Sequence, residues 1–297
     1  MATAHAPLSG DGKDRSNSGI FWMLLTMFLF VSMDTIAKYL IQDHHVMQVA
    51  WGRYFFHLLV LLIVLAPRLR SLLVTKNLKL QLARSLLLLT TTICFFTGLN
   101  YVQLADASAI MLTAPVFVTA LSMPILKEYV GPRRWASVIV GCIGAIIIIR
   151  PGSSALDPAA LFPLTAAILY AFYQISTRFL SQSDSIFTTL IYSATIGAVI
   201  LSLIVPFYWT PLSYPEWGLM LLLGVIGGTG HFTLIKAYTV SPVATVAPFT
   251  YSNLIWAVGY GYLVFGNLPD QWTVVGALII MASGLYIFHR EQIRKAR

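Results

Sequence analysis

Charge is what this sequence lacks most. Only 10% of its 297 residues are charged, against 58% hydrophobic, where a soluble domain carries about 25% charged residues. So little polar side chain cannot clothe a water-facing fold of this size, which excludes a soluble enzyme, a nucleic-acid binder and a disordered scaffold. The net charge of +8 does not restore a nucleic-acid partner, because that reading needs a basic face on a soluble fold. Cysteine is nearly absent. Cys94 and Cys142 both fall in apolar runs and read as small buried residues, not as a disulfide framework. No phosphate loop is present: Gly227–Gly228–Thr229–Gly230 lacks the Lys–Ser/Thr that would follow and lies in an apolar run, which argues against direct drive by ATP. Alternation is missing too. Runs such as Ile143 to Ile149 do not show the alternating pattern of a membrane β-strand.

What the sequence has is length of apolar run. A helix needs about 20 apolar residues to cross the hydrocarbon core of about 30 Å. Ten such runs cover approximately 20–41, 47–66, 79–101, 106–126, 134–150, 159–180, 185–206, 216–236, 243–264 and 272–289. The expected fold is therefore an all-α integral membrane protein with ten transmembrane helices and the lipid bilayer as its solvent. Residues 1–18 are polar and small and read as a disordered cytoplasmic tail; residues 291–297 read as a second one. The first run is longer than the apolar stretch of a cleaved signal, about 7–15 residues, and it holds Asp34 and Lys38. Ten spans put both termini on one face. Sorting the nineteen Lys and Arg by loop gives sixteen to that face and only Arg150 to the other, with Lys38 and Arg53 inside spans. Cytoplasmic loops carry the excess, so both termini are expected in the cytoplasm, and the basic loops are read as topology and contact with anionic headgroups.

The halves resemble each other. Phe96–Thr97 and Ala105 match Phe232–Thr233 and Ser241 at an offset of 136. Pro132 and Trp135 match Pro269 and Trp272 at 137, and Lys38–Tyr39–Leu40 matches Arg178–Phe179–Leu180 at 140. Each half holds five spans, and five is odd, so the second half enters the membrane from the opposite side. Such inverted repeats are common in secondary transporters, with the site near the midplane between the halves.

The run from Ala105 to Trp135, with Pro115, Glu128, Pro132 and Trp135, resembles the EamA signature of the drug/metabolite transporter superfamily. So do Lys38, Arg53–Tyr54–Phe55, and Gly276 and Gly284 in the last span. The resemblance covers about residues 20 to 289, and within the family the sequence is similar to bacterial exporters of aromatic and other amino acids. It implies a first EamA repeat over 19–150, a second over 151–290, a multi-pass protein of the bacterial inner membrane, and a cavity bounded by the third, fourth, eighth and ninth spans. It implies no cofactor. One departure stands out: Asn267 occupies the place where the family often has Glu, so whatever Glu128 does is not duplicated.

Ionisable residues inside a span are costly and each is a functional candidate. Asp34 and Lys38 lie four apart in the first span, and Arg53 and His57 four apart in the second, so each pair shares a helix face. Counting 1.5 Å per residue puts Asp34 and Arg53 about 10 Å and about 9 Å below the same face. Asp34, Lys38 and Arg53 are therefore expected to form one ionic cluster, a static clamp or a gate for an anionic group. His57 and His231 are the other titratable candidates, either as proton carriers or as interhelical hydrogen-bonding groups. Cavity candidates are Asn100 and Tyr101 in the third span, Tyr170, Tyr173 and Gln174 in the sixth, and Tyr251, Ser252, Asn253 and Trp256 in the ninth. An aromatic cleft with a few amides and hydroxyls suits an amphipathic solute. Pro115 and Pro248 interrupt the fourth and ninth spans and free a backbone carbonyl each. Gly141 and Gly144, Gly224 and Gly228, and Gly227 and Gly230 read as close-packing positions, and Trp51, Trp135, Trp217 and Trp272 as interfacial anchors.

The leading expectation is a secondary transporter that exports small metabolites, amino acids including aromatic ones, by alternating access. Uptake of riboflavin or S-adenosylmethionine is the alternative within transport. A membrane-embedded enzyme on lipid-linked substrates would need acids or histidines clustered at one interface, and these are spread over separate spans. A passive channel fits the inverted repeat less well.

Overall fold

In the computed structural model, residues 11–126, 132–150, 158–180, 183–241 and 246–295 are described, and among them every regular element is helical. The first half comprises α1 (Asp11–Leu40), α2 (Val46–Leu65), a short surface helix α3 (Leu69–Leu72), α4 (Leu78–Tyr101), α5 (Leu104–Met111), α6 (Ala114–Leu126) and α7 (Pro132–Ile149). The second half comprises α8 (Leu161–Leu180), α9 (Ile186–Ile204), α10 (Tyr214–Val240), a 3-10 turn over Ala247–Tyr251 running into α11 (Ser252–Phe265), and α12 (Gln271–Lys295). With α5 and α6 forming one broken span, and the 3-10 turn and α11 another, these are ten apolar segments. Among the described residues seven helices are long and apolar enough to cross a membrane alone, and Trp135–Ile149 and Gln271–Tyr286 are shorter apolar helices. Helix occupies residues 11–18 of the stretch read as a tail, because α1 starts at Asp11, and α12 likewise runs on to Lys295. Residues 1–10, 296–297 and Glu128 lie outside the described residues.

Local sequence sets the interruptions. Pro115 has no N–H to give to the carbonyl one turn back, and the chain breaks at Leu112–Thr113 before restarting as α6 at Ala114. In the second half Pro248 sits in the 3-10 turn, and α11 restarts at Ser252. The restart points differ by 138, so the same break recurs in both halves. The starts of α2 and α9 also correspond: His45 accepts from the Met47 amide at 3.2 Å and Ser185 from the Thr188 amide at 3.1 Å, each satisfying an N-terminal donor.

The packing follows the repeat. α1 packs chiefly on α10, and its counterpart α8 packs on α4, the counterpart of α10. In the same way α2 meets α10 as α9 meets α4, and α1 meets α11 as α8 meets α6, while α2 faces α9 and α7 faces α12. Each half thus lends its first helix to the third helix of the other, and neither half closes on itself. Lipid gives apolar helices no hydrophobic reason to associate, so close approach of small residues has to hold them. Gly197 on α9 faces the Tyr54 ring of α2, Gly224 of α10 abuts the backbone at Phe56 and His57, and Gly228 faces the His57 ring. At the α7–α12 seam a Cβ on Gly144 would come within 2.8 Å of the Gly276 carbonyl, and one on Gly276 within 2.6 Å of the Gly144 carbonyl. Cys94 and Cys142 are unpaired and half-buried.

The face at which α1 begins is here termed the terminal face, opposite the distal face. Loops on each face are tied by polar contacts. At the terminal face Asp184 accepts hydrogen bonds from Thr75 and from Gln81 Nε2 (2.8 Å), and Asn77 Nδ2 donates to Ser183 Oγ (2.9 Å). At the distal face His44 meets Glu216 at 3.0 Å, and Gln48 and Thr210 exchange hydrogen bonds of 2.8 and 2.9 Å. Burial acts to raise the Asp184 pKa, but hydrogen bonds from Thr75, Gln81, the Lys76 backbone and Ser183 outweigh it and hold the carboxyl below its ordinary value.

Two outcomes follow. Gly144→Leu is expected to force α7 from α12 and lower the detergent melting temperature, since overpacking costs about 1–3 kcal/mol; an unchanged melt would show that the seam yields freely. The depressed Asp184 pKa contributes stability that is complete above the unfolded value of about 3.9 and is lost as pH falls through the folded value. The gap in melting temperature between the native protein and Asp184→Asn should therefore hold constant from pH 8 to 5 and shrink below about pH 4. A gap that closes by pH 5 contradicts the sign.

Candidate functional site

Two arginines lie inside the helix bundle. At 1.5 Å per residue, Arg53 sits about 10 Å along α2 from its distal start and Arg84 about 9 Å along α4 from its terminal start. They approach the middle of the bundle from opposite faces. Both are buried, with 8% and 3% of their surface exposed. A charge at this depth is expensive, so its partners matter.

None of those partners is a carboxylate. Arg53 Nη1 donates to Thr92 Oγ1 at 2.5 Å, and Nη2 lies 3.3 Å from His231 Nε2. Tyr54 OH shares Thr92 Oγ1 at 3.0 Å, and the guanidinium lies against the Tyr54 and Phe96 rings. Arg84 Nε donates to Thr177 Oγ1 (2.7 Å), Nη1 to Ser193 Oγ (2.7 Å) and Nη2 to Tyr173 OH (2.6 Å). Its plane sits 4.3 Å from the centroid of the Tyr173 ring. Hydroxyls, rings, an imidazole and, for Arg84 Nη1, the Thr189 carbonyl at 3.4 Å therefore satisfy both cations, and in Arg84's case the hydroxyls come entirely from the second half of the chain.

The two arginines face one cavity. His57 of α2, Leu88 of α4, Tyr173 of α8, Leu190 and Ser193 of α9, and His231 of α10 complete its wall. Its volume is about 10 Å³, the limit for a single water. Passage of any metabolite at this level requires the two halves to part. His57 is the odd member. Its ring lies parallel to that of His231 with centroids 6.3 Å apart, and its buried Nε2 has no hydrogen-bond partner.

The structure brings Arg53, His57, Tyr173 and His231 together here. Tyr170 stacks on Tyr173 at 5.4 Å just behind the wall, and Gln174 is half-buried on the same helix. Asp34 is buried and feels Arg53 as its charged neighbour, yet it makes no ion pair or hydrogen bond.

The expected ionic cluster is corrected. Lys38 does not meet Arg53: its Nζ donates to the carbonyls of Leu99 and Val102 at 2.7 Å each, at the C-terminal end of α4, and lies 5.6 Å from the Phe265 ring. Matched depth did not fix the direction in which Lys38 points around α1. It serves a distal strap in which Thr273 Oγ1 donates to Asp106 at 2.8 Å and Asp270 pairs with Arg150.

The lining of this closed cavity differs from the residues expected around the substrate. The second, third, sixth, seventh and eighth spans line it, and among the described residues neither the fourth nor the ninth span contributes. Asn100 and Tyr101 are exposed at the distal end of α4, about 24 Å along the axis from Arg84. Pro115 is exposed, and Pro248 stays in its 3-10 turn. Tyr251 abuts Gly284 of α12 and belongs to the α7–α12 core. Asn253 is half-buried without a polar contact, and Trp256 meets Phe28 edge-on at 5.2 Å at the α1–α11 contact.

Arg84, Thr92, Thr177 and Ser193 escaped the sequence reading. Arg84 falls inside the apolar run 79–101 but near its start, where a cation counts among the loop charges, so position within that run is the signal available.

Comparison with known proteins gives consistent results. The profile of the EamA-like transporter family matches residues 17–150 and 157–288. An S-adenosylmethionine uptake transporter of Rickettsia prowazekii is 30% identical, with 93% of this chain and 94% of that protein covered. A riboflavin transporter of Vibrio cholerae is 29% identical, with 100% and 98% covered. A pseudopaline exporter of Pseudomonas aeruginosa is 25% identical, with 91% and 95% covered. One solved crystal structure has a TM-score of 0.65 at 13% identity, covering 96% of this chain and 99% of the other, which supports the fold alone. These relatives are transporters and not enzymes, and none of the three is named for aromatic amino-acid export.

A buried cation with neutral partners costs a membrane bundle stability, and function is the usual reason it is kept. Arg84→Leu is therefore expected to keep or raise the detergent melting temperature while cutting transport at least tenfold (an order-of-magnitude expectation). A lower melt with transport falling in proportion would make Arg84 structural.

Proposed function

The chain belongs to the EamA-like transporter family, and from that premise we propose that it takes up a metabolite of the S-adenosylmethionine class across the bacterial inner membrane. The observation that carries the reading is the cavity between Arg53 and Arg84, walled by both halves and closed to anything larger than water. Substrate enters from one face, the halves rock, and it leaves by the other. The moving units are the repeats over 19–150 and 151–290, exchanging their first helices as described. Identity over nearly the full length to uptake transporters named for S-adenosylmethionine favours that class. Both termini face the cytoplasm: with Arg84 counted inside its span, fifteen loop cations still stand against one. Polar recognition near the bundle centre, with tyrosines on one side, suits a solute that has an aromatic base and a charged end.

Riboflavin is the second reading, favoured by the full-length match to a riboflavin transporter and by the stacked Tyr170 and Tyr173 beside the cavity. Purified protein in liposomes, offered labelled S-adenosylmethionine, riboflavin and phenylalanine without ATP, decides between them. Saturable uptake and counterflow of S-adenosylmethionine is the expected result. Movement of riboflavin alone would transfer the assignment, and movement of phenylalanine alone would restore amino-acid transport.

A further inference from the structure

We infer that Arg53 and Arg84, together with His57, form a binding site for a carboxylate group of the transported metabolite. The inference rests on the transport reading above and adds which part of the substrate the cavity holds and what that contact does.

Three observations carry it. The first is charge. Two guanidiniums face one cavity and neither touches a carboxylate. Arginine stays protonated in proteins, and Asp34, the carboxylate that Arg53 feels, can offset at most one of the two. At least one positive charge in the membrane interior is thus left without an anion. The second is donor capacity. Arg53 and Arg84 bond to hydroxyl, imidazole and carbonyl groups, neutral acceptors that an anion can outcompete for the same N–H donors. The planar fork of guanidinium donors matches a carboxylate bidentately. The third is His57. Its Nε2 is buried on the cavity wall with no partner, and a buried polar atom left unsatisfied calls for a ligand or a partner in another state.

The placement gives the contact a mechanical role. Arg53 belongs to the distal end of the cavity and Arg84 to the terminal end. Arg84 is held by α8 and α9 of the other half, through Tyr173, Thr177 and Ser193. Both arginines belong to the first half, and Tyr173, Thr177, Ser193 and His231 of the second half close over them, so like charges facing one low-dielectric space oppose the packing of the second half on the first. A carboxylate held by both offsets that repulsion, and the second half closes over the occupied pair. A carboxylate, with one negative charge, suits this balance better than a phosphate monoester, which carries nearly two.

The test uses ligand pairs that differ at the carboxylate: S-adenosylmethionine against its decarboxylated analogue, and phenylalanine against phenylalaninamide, with inorganic phosphate as a further probe. Binding to the purified full-length protein is read by thermal shift, and transport separately by counterflow. We expect the carboxylate-bearing member of a pair to bind about 10- to 100-fold more tightly, the range for hydrogen bonds to a charged group. Arg53→Gln and Arg84→Gln should each erase that difference, whereas Arg53→Lys and Arg84→Lys should retain part of it. Pairs that bind equally to the native protein overturn the inference without any variant having to fold. So does an absence of stabilisation by every carboxylate, and so does stabilisation by phosphate alone. Equal transport of both members of a pair removes the carboxylate site and leaves the transporter reading standing. Carboxylate-dependent binding without counterflow does the reverse.

Discussion

Everything at the centre of this bundle depends on two guanidinium groups held in a low-dielectric interior by neutral partners. A charge there is tolerated only when something offsets its loss of hydration. Thr92 and His231 do so for Arg53, and Tyr173, Thr177 and Ser193 for Arg84. Because none of these is an anion, the bundle retains an electrostatic demand that its own side chains do not meet.

The fold places that demand on the seam between halves. Exchange of first helices, α1 onto α10 and α8 onto α4, brings residues of the second half to an arginine of the first. Glycines at the crossings let helices approach without fixing them by side-chain interlock: Gly197 under Tyr54, Gly228 under His57, Gly144 against Gly276. The polar ties sit at the loops, Asp184 with Thr75 and Gln81 at one face, and Glu216 with His44 at the other. A bundle with polar ties at both of its ends, and an unmet charge between them, is suited to opening at one face at a time.

Much of this was legible in the sequence, for a physical reason. Crossing a bilayer demands contiguous apolar residues, so all ten segments stood out by length, and the internal offsets of 136 to 140 exposed the repeat. Arg53, His57 and His231 were visible because ionisable residues are rare that deep in an apolar run. Arg84 was not, since a cation six residues into a span looks like an interfacial charge until its hydroxyl partners, about 90 to 110 residues later in sequence, are seen beside it. Lys38 was misplaced because rise per residue gives depth but not direction around the axis, and its true partners are the backbone carbonyls of Leu99 and Val102, which composition cannot reveal. Tyr251 looked like a cavity residue for want of knowing that Gly284 clears a place for its ring.

The central claim is that the space between Arg53 and Arg84 lies on the route of the substrate. Ser193, which hydrogen-bonds Arg84 and lines that space, offers the most direct measurement. In a protein with Cys94 and Cys142 replaced by serine, Ser193→Cys can be labelled with a thiol reagent that does not cross the membrane, applied to each face in turn. The account predicts labelling from both faces, as the two halves open alternately, and protection by transported substrate. A cysteine that reacts from neither face, or from one face with no protection by substrate, would contradict it.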